Sequence, residues 1–195
     1  MSNAGSFQRG SVLRAAMRLI IGRSDLHSRI DRAVGVVEES QVPSYRNQYP
    51  VLLGELSRSR RYQRPMSIAV LGLQREHLPA PLVRLVQNNG SPERQLLTRT
   101  TQMLSFAFGL ILEESVRDSD FVTYVPKDDR FVLLLAESDR TQALETVKRI
   151  AALLYQRLDI HLQAGFAGFP SDGLTLDELV AGASSTVSPI DCVKQ

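Results

Sequence analysis

The sequence predicts an α/β domain in which a mixed central sheet is flanked by helices. Short apolar runs of strand length alternate with longer segments whose apolar residues recur at helical spacing. Two of the apolar runs are separated only by a short polar turn, which is the pattern of a β-hairpin. The 195 residues, 43% of them hydrophobic, suffice for one domain of ordinary size with an appendage. The predicted order is helix, strand, helix, hairpin, helix, strand, helix.

The composition excludes several classes of function. A net charge of +2 gives no electrostatic basis for gripping nucleic acid. A lone cysteine, Cys192, forms no internal disulfide, and no Cys/His cluster has the spacing of a metal site. No apolar run approaches the roughly 18 residues that span a bilayer. We therefore expect a cytoplasmic protein with no metal, no cofactor, no nucleic-acid partner and no membrane segment in this chain.

The N-terminal part divides into two predicted regions. Residues 1–10 open with letters that resemble an expression scar, and we expect them to be disordered. Residues 11–47 are predicted to be a helical segment, with two short amphipathic helices between 11 and 39. These helices suit a signalling stalk or dimerisation element, or equally a hairpin that covers the domain's own surface.

The main domain is predicted to span residues 48–187. Pro43 and Pro50 indicate a linker, and a helix is expected from about 51 to 61. The helix ends in a cluster of cations, namely Arg58, Arg60 and Arg61. A nucleic-acid patch would use such a cluster, but cations at a helix C-terminus also complement the helix dipole, and we favour that interpretation.

A buried central strand is predicted at Met66–Leu73, an apolar run that Pro65 sets off. A loop should follow over 74–91. Ser91 and Pro92 then begin a helix that runs to about 116, because a hydroxyl cap followed by proline is a typical helix start.

The hairpin is predicted from Phe121–Val125 and Phe131–Leu135, with its polar turn between them. Asp139 can cap the following helix, which should end near 157. A last strand is expected at 161–167.

The closing helix is predicted from a capping box. Thr175 and Glu178 stand three residues apart at its start. Residues 188–195 are expected to form a disordered tail.

Three segments together resemble the GGDEF domain, the family that makes the bacterial second messenger cyclic di-GMP. They are 55–71, the hairpin region 117–131, and 168–179, and the resemblance covers roughly 48–185. It implies the nucleotidyl-cyclase type of fold. It also implies an ancestral activity in which a dimer condenses two GTP molecules, one held by each half.

The resemblance fails at the positions that carry catalysis. The family places a metal-binding aspartate where this chain has Gly72, and hairpin glycines where it has Pro126, Lys127 and Asp128. Asp129 is the one vestigial catalytic letter, and it is followed by Arg130. Triphosphate chemistry needs oxygen-rich magnesium sites, which one carboxylate cannot supply. We therefore predict no enzymatic activity, and we favour the interpretation that Asp128 and Asp129 belong to a solvated turn.

A second family site is retained better. Many members bind cyclic di-GMP at an Arg-x-x-Asp motif before the hairpin, and Arg117 and Asp120 match it. The family's companion arginine falls on Arg149. Guanidinium groups pair with guanine or phosphate, and a carboxylate accepts from guanine N–H groups. In the alternative interpretation Arg117 closes a helix and pairs with Asp118 or Asp120, while Arg149 is solvated.

Three functions follow from these patterns, in order of preference. The first is a catalytically inactive receptor for cyclic di-GMP. The second is a nucleotide-independent module that dimerises or docks another signalling protein. An active diguanylate cyclase is the least favoured.

Overall fold

The structure is a computed structural model that describes residues 42–74, 105, 107–158 and 160–190. The helices predicted within 11–39, most of the loop at 74–91 and the predicted helix start at Ser91 lie outside these residues. None of the helices in the described ranges is long and apolar enough to cross a membrane.

Helices and strands alternate as predicted, and the α/β fold class is confirmed. In chain order they are α1 (Tyr45–Tyr62), β1 (Met66–Leu73), α2 (105 and 107–115), β2 (Phe121–Val125), β3 (Arg130–Ala136), α3 (Arg140–Leu158), β4 (Leu162–Phe169), α4 (Leu176–Ser185) and β5 (Ser188–Pro189).

The strand order in the sheet is β2-β3-β1-β4-β5, and every pair of neighbouring strands is antiparallel. The predicted mixed pairing is therefore wrong in detail. Strands β1 and β2 run in the same direction, as do β3 and β4, but each pair is separated by one strand. This is the split β-α-β arrangement, in which a helical crossover skips one strand and no parallel neighbours result.

The sheet is buried on both faces by two clusters of apolar side chains. Successive residues of β1 alternate between the clusters, as the pleat requires: Ala69 and Leu71 enter one, Ile68 and Val70 the other. Helices α2 and α3 cover the first face, and α1 and α4 cover the second. The two central strands β1 and β3 are therefore almost wholly apolar.

The domain begins earlier than predicted. Helix α1 begins at Tyr45 because the Ser44 hydroxyl caps it, accepting from the N–H of Asn47 at 3.3 Å. Pro50 lies inside this helix and is exposed, so it costs one backbone bond without breaking the helix. Before the helix, the carbonyl of Pro43 accepts from Tyr124 N–H at 3.0 Å. The linker predicted from the prolines, and the boundary at 48, are therefore wrong.

The domain also continues further than predicted. Ser188 and Pro189 pair with β4, and Ile190 N–H donates to the carbonyl of Leu162 at 2.9 Å. The Ile190 side chain is 8% exposed and joins the first core cluster. Backbone pairing does not depend on side-chain polarity. The small and polar residues of this strand therefore gave no sequence pattern that predicts it. The predicted disordered tail is wrong for 188–190, and 191–195 lie outside the described residues.

Two of the helix caps predicted from the sequence, at Asp139 and at Thr175, are confirmed. The Asp139 carboxylate accepts from Gln142 N–H at 2.9 Å before α3. At α4, Thr175 and Glu178 form the capping box, and the Glu178 carboxylate also accepts from Leu174 N–H at 2.7 Å. The backbone N–H groups of Leu174 and Thr175 hold the pKa of the Glu178 carboxyl below its usual value.

Gly54 is a glycine that the fold does not need. It lies mid-helix in α1, is exposed, and a β-carbon built on it meets nothing within 4 Å. We expect Gly54→Ala to raise the free energy of unfolding by about 0.5–1 kcal/mol, because alanine restricts the unfolded chain and favours the helix. Urea denaturation measures this change. A loss of stability would contradict the open space around Gly54, because the added methyl group would then have to clash with a neighbour.

Candidate functional site

The hairpin turn that would contact a nucleotide in a cyclase spans 126–129. It is closed by the Asp128 N–H, which donates to the carbonyl of Val125 at 3.3 Å. Pro126, Lys127 and Asp128 are exposed. Asp129 has a φ of 49°, in the left-handed region that aspartate tolerates better than most residues.

The Asp129 carboxylate is bonded to the body of the domain. Its Oδ1 accepts from the Ser105 hydroxyl on α2 and from the Tyr124 hydroxyl on β2, each at 2.7 Å. The preferred interpretation of a solvated turn holds for the exposed Asp128 and is wrong for Asp129. The hydrogen bond from Ser105 to Asp129 could not be predicted from the sequence, because the two residues are far apart in the chain. Asp129 thus anchors the turn to α2.

Gly72 lies within β1, opposite Gln163 of β4. A β-carbon on Gly72 would stand 3.2 Å from Gln163 Nε2, so this side chain lies over the space that a side chain at position 72 would occupy. Gln163 Nε2 lies 3.5 Å from the carbonyl of Leu73, and Gln74 Nε2 lies 3.5 Å from that of Leu162. Neutral amides therefore line the end of β1. Among the described residues no group of three His, Cys, Asp or Glu side chains could hold a metal ion.

The Arg-x-x-Asp motif forms the loop between α2 and β2, and Asp120 braces it. Its Oδ2 accepts from the backbone N–H of Arg117 at 3.0 Å, and its Oδ1 accepts from Ala136 N–H at 3.1 Å. The Asp120 N–H donates in turn to the Arg117 carbonyl at 2.9 Å. Hydrogen bonds to a carboxylate are stronger than neutral ones, so Asp120 fixes the loop to the end of β3.

Arg149 extends from α3 to the same loop. Its Nη2 donates to the carbonyl of Ser115 at 2.8 Å, in the last turn of α2, where carbonyls lack intrahelical partners. The Arg149 guanidinium thus contacts the chain two residues before Arg117. The side chain of Arg117 is itself exposed. Arg117 and Asp120 lie in this loop, and Arg149 contacts its start. Asp120 is turned towards backbone N–H groups. Arg149 is exposed on α3, as the alternative interpretation expected, and it also donates to a helix end.

The sequence matches no protein-family model and no curated protein. Its fold is shared with solved GGDEF domains. A DGC protein from Thermotoga maritima is 18% identical, with a TM-score of 0.54 over 76% of this chain and 97% of that chain. The GGDEF domain of YfiN (TpbB) from Pseudomonas aeruginosa is 17% identical, with a TM-score of 0.59 over 74% of this chain and 87% of that one.

A third solved structure concerns the interaction of a microbial GGDEF domain with bis-(3,5)-cyclic di-GMP. It is 13% identical, with a TM-score of 0.52 over 73% of this chain and 80% of that chain. Identities this low establish the shared fold alone. The predicted GGDEF-type fold is confirmed.

Proposed function

We propose that this chain, which has the GGDEF fold, is a catalytically inactive signalling domain. The observation that carries the proposal is the state of the two former catalytic positions. Asp129 already accepts two hydroxyl hydrogen bonds, and Gly72 carries no carboxylate and lies beneath Gln163. Condensing two GTP molecules needs magnesium ions held by oxygen ligands, and neutral amides with one engaged carboxylate are a poor donor set for them.

Incubating the purified protein with GTP and Mg²⁺ or Mn²⁺ tests this proposal. We expect chromatography to find no cyclic di-GMP above the blank without protein. Gly72→Asp should also be inactive, because the new carboxylate would meet the Gln163 amide and still lack partners. Product from the unaltered protein would contradict the proposal.

The second half of the proposal is that the loop at 115–120 binds cyclic di-GMP. Support comes from the two guanidinium groups that the fold brings to this loop, Arg117 and Arg149, and from the brace that Asp120 provides. Guanidinium groups bind phosphate in bidentate fashion and are always charged. The shared fold with a GGDEF domain studied for its interaction with cyclic di-GMP agrees with this ligand.

Calorimetry at tens of micromolar protein tests the receptor role. We expect Arg117→Ala to weaken binding of cyclic di-GMP by tenfold or more. Arg140→Ala removes the same charge from the start of α3, where the side chain pairs with Asp172, and should leave affinity within twofold. Absence of heat with the unaltered protein, or equal affinity in Arg117→Ala, would contradict the role.

A nucleotide-independent interaction module is the second candidate. It is favoured by exposed apolar side chains at the outer surface, where Leu53 of α1 is 39% exposed and Leu174 before α4 is 56% exposed. A homodimer or another signalling protein would cover them. This function predicts association that rises with concentration and that cyclic di-GMP does not change. A strictly monomeric profile in light scattering would count against the homodimer.

A further inference from the structure

Asp120 is the motif's candidate for reading a guanine edge, and each of its oxygens already accepts one hydrogen bond from the backbone. Oδ2 accepts from Arg117 N–H and Oδ1 accepts from Ala136 N–H. A carboxylate that reads the neighbouring N–H groups of guanine presents both oxygens to the base in one plane. Here the backbone N–H groups of Arg117 and Ala136 fix the plane of the Asp120 carboxylate, so a bound base cannot rotate the carboxylate into its own plane.

The cations of the site are differently placed. Arg149 spends one of its five N–H donors on the Ser115 carbonyl, which leaves donors for an anion. Arg117 is exposed, and its backbone N–H, not its guanidinium, satisfies Asp120. The loop region thus presents two guanidinium groups, while the Asp120 carboxylate is held by the protein's own backbone. Asp118, at a variable position of the motif, is exposed next to Arg117 in the chain.

We infer that this site recognises the phosphodiesters of a cyclic dinucleotide and does not discriminate its bases. The inference rests on the proposed receptor function and deepens it. Two guanidinium groups match the two phosphates of the ring, and phosphates are the same whatever base is attached. A good bidentate contact to a base edge gives roughly tenfold discrimination or more, and Asp120, the carboxylate of the Arg-x-x-Asp motif, is not free to turn towards a base.

The expected result is that cyclic di-AMP binds within about threefold of cyclic di-GMP, when both are titrated calorimetrically at the same ionic strength. Arg117→Ala should weaken both ligands by the same factor, at least about tenfold. It keeps the backbone N–H that Asp120 holds, so the loop stays braced. Arg140→Ala, the matched loss of charge, should change neither affinity by more than twofold. Asp118→Asn should leave the ratio of the two affinities unchanged.

The outcomes separate the two levels of the proposal. A preference for cyclic di-GMP of more than tenfold overturns the inference and leaves the receptor function standing. A preference that Asp118→Asn abolishes also overturns it and assigns base reading to Asp118. If neither ligand binds at tens of micromolar protein, the receptor function and the inference fail together.

Discussion

The Gly165→Ala protein is expected to lose at least about 3 kcal/mol of unfolding free energy, because β4 and the end of α4 meet at Gly165 without room for a methyl group. A β-carbon there would lie 1.9 Å from the Ala183 carbonyl oxygen and 2.8 Å from the backbone nitrogen of Val187. Both are backbone atoms, so no rotamer change relieves the clash. Helix α4 would have to move off the sheet and expose part of the second core cluster.

Thermal denaturation followed by circular dichroism measures this effect, and a loss of that size lowers Tm by about 10 °C in a domain of this length. Gly54→Ala is the matched control, since the same methyl group is added where it meets nothing. A Gly165→Ala protein as stable as the unaltered one would mean that α4 does not lie against β4 at this point.

The free energy of unfolding of the Asp120→Ala protein is expected to fall by about 2 kcal/mol, because two backbone N–H groups lose a charged acceptor at once. These are the N–H groups of Arg117 and Ala136. Water replaces part of the loss, since Asp120 is only half-buried and the rest of the loop, 117–119, is exposed. A loss of this size would show that the Asp120 carboxylate stabilises the fold, whether or not the loop also binds a ligand.

Urea denaturation without nucleotide measures the effect. Asp118→Ala removes the same charge two residues away, from an exposed side chain, and should change stability by less than about 0.5 kcal/mol. Asp120→Asn keeps one acceptor oxygen and should fall between the two. Equal stability of Asp120→Ala and Asp118→Ala would contradict the bracing role.

Much of the fold was predictable because burial and capping leave local signals. The apolar runs of β1 and β3 indicated strands covered on both faces, and Thr175 with Glu178 marked the start of α4. The domain limits were not predictable. Helix α1 begins at the Ser44 cap and continues through Pro50, and β5 pairs with β4 through its backbone. The direction of each strand relative to its neighbours depends on which strand a helical crossover skips. No local sequence pattern carries that information.

The placement of the three candidate residues near one loop followed from the sequence, and the hydrogen-bond partners of each residue did not. The motif letters located Arg117 and Asp120 on one loop, and counting along the helix after the hairpin located Arg149. Partners remote in sequence decide what each side chain does. Ser105 engages Asp129, and Ala136 engages Asp120, and neither pairing has a sequence signature.

We propose that Gly72 and the turn at 126–130 support no catalysis, while the loop at 115–120 binds cyclic di-GMP. Amide chemical shifts of the ¹⁵N-labelled protein test both halves in one sample. We predict that cyclic di-GMP shifts the resonances of 115–120 and Arg149, and that GTP with Mg²⁺ shifts none near Gly72 or 126–130. Saturable shifts at Gly72 and 126–130 on adding GTP with Mg²⁺, with none at 115–120 on adding cyclic di-GMP, would contradict the claim.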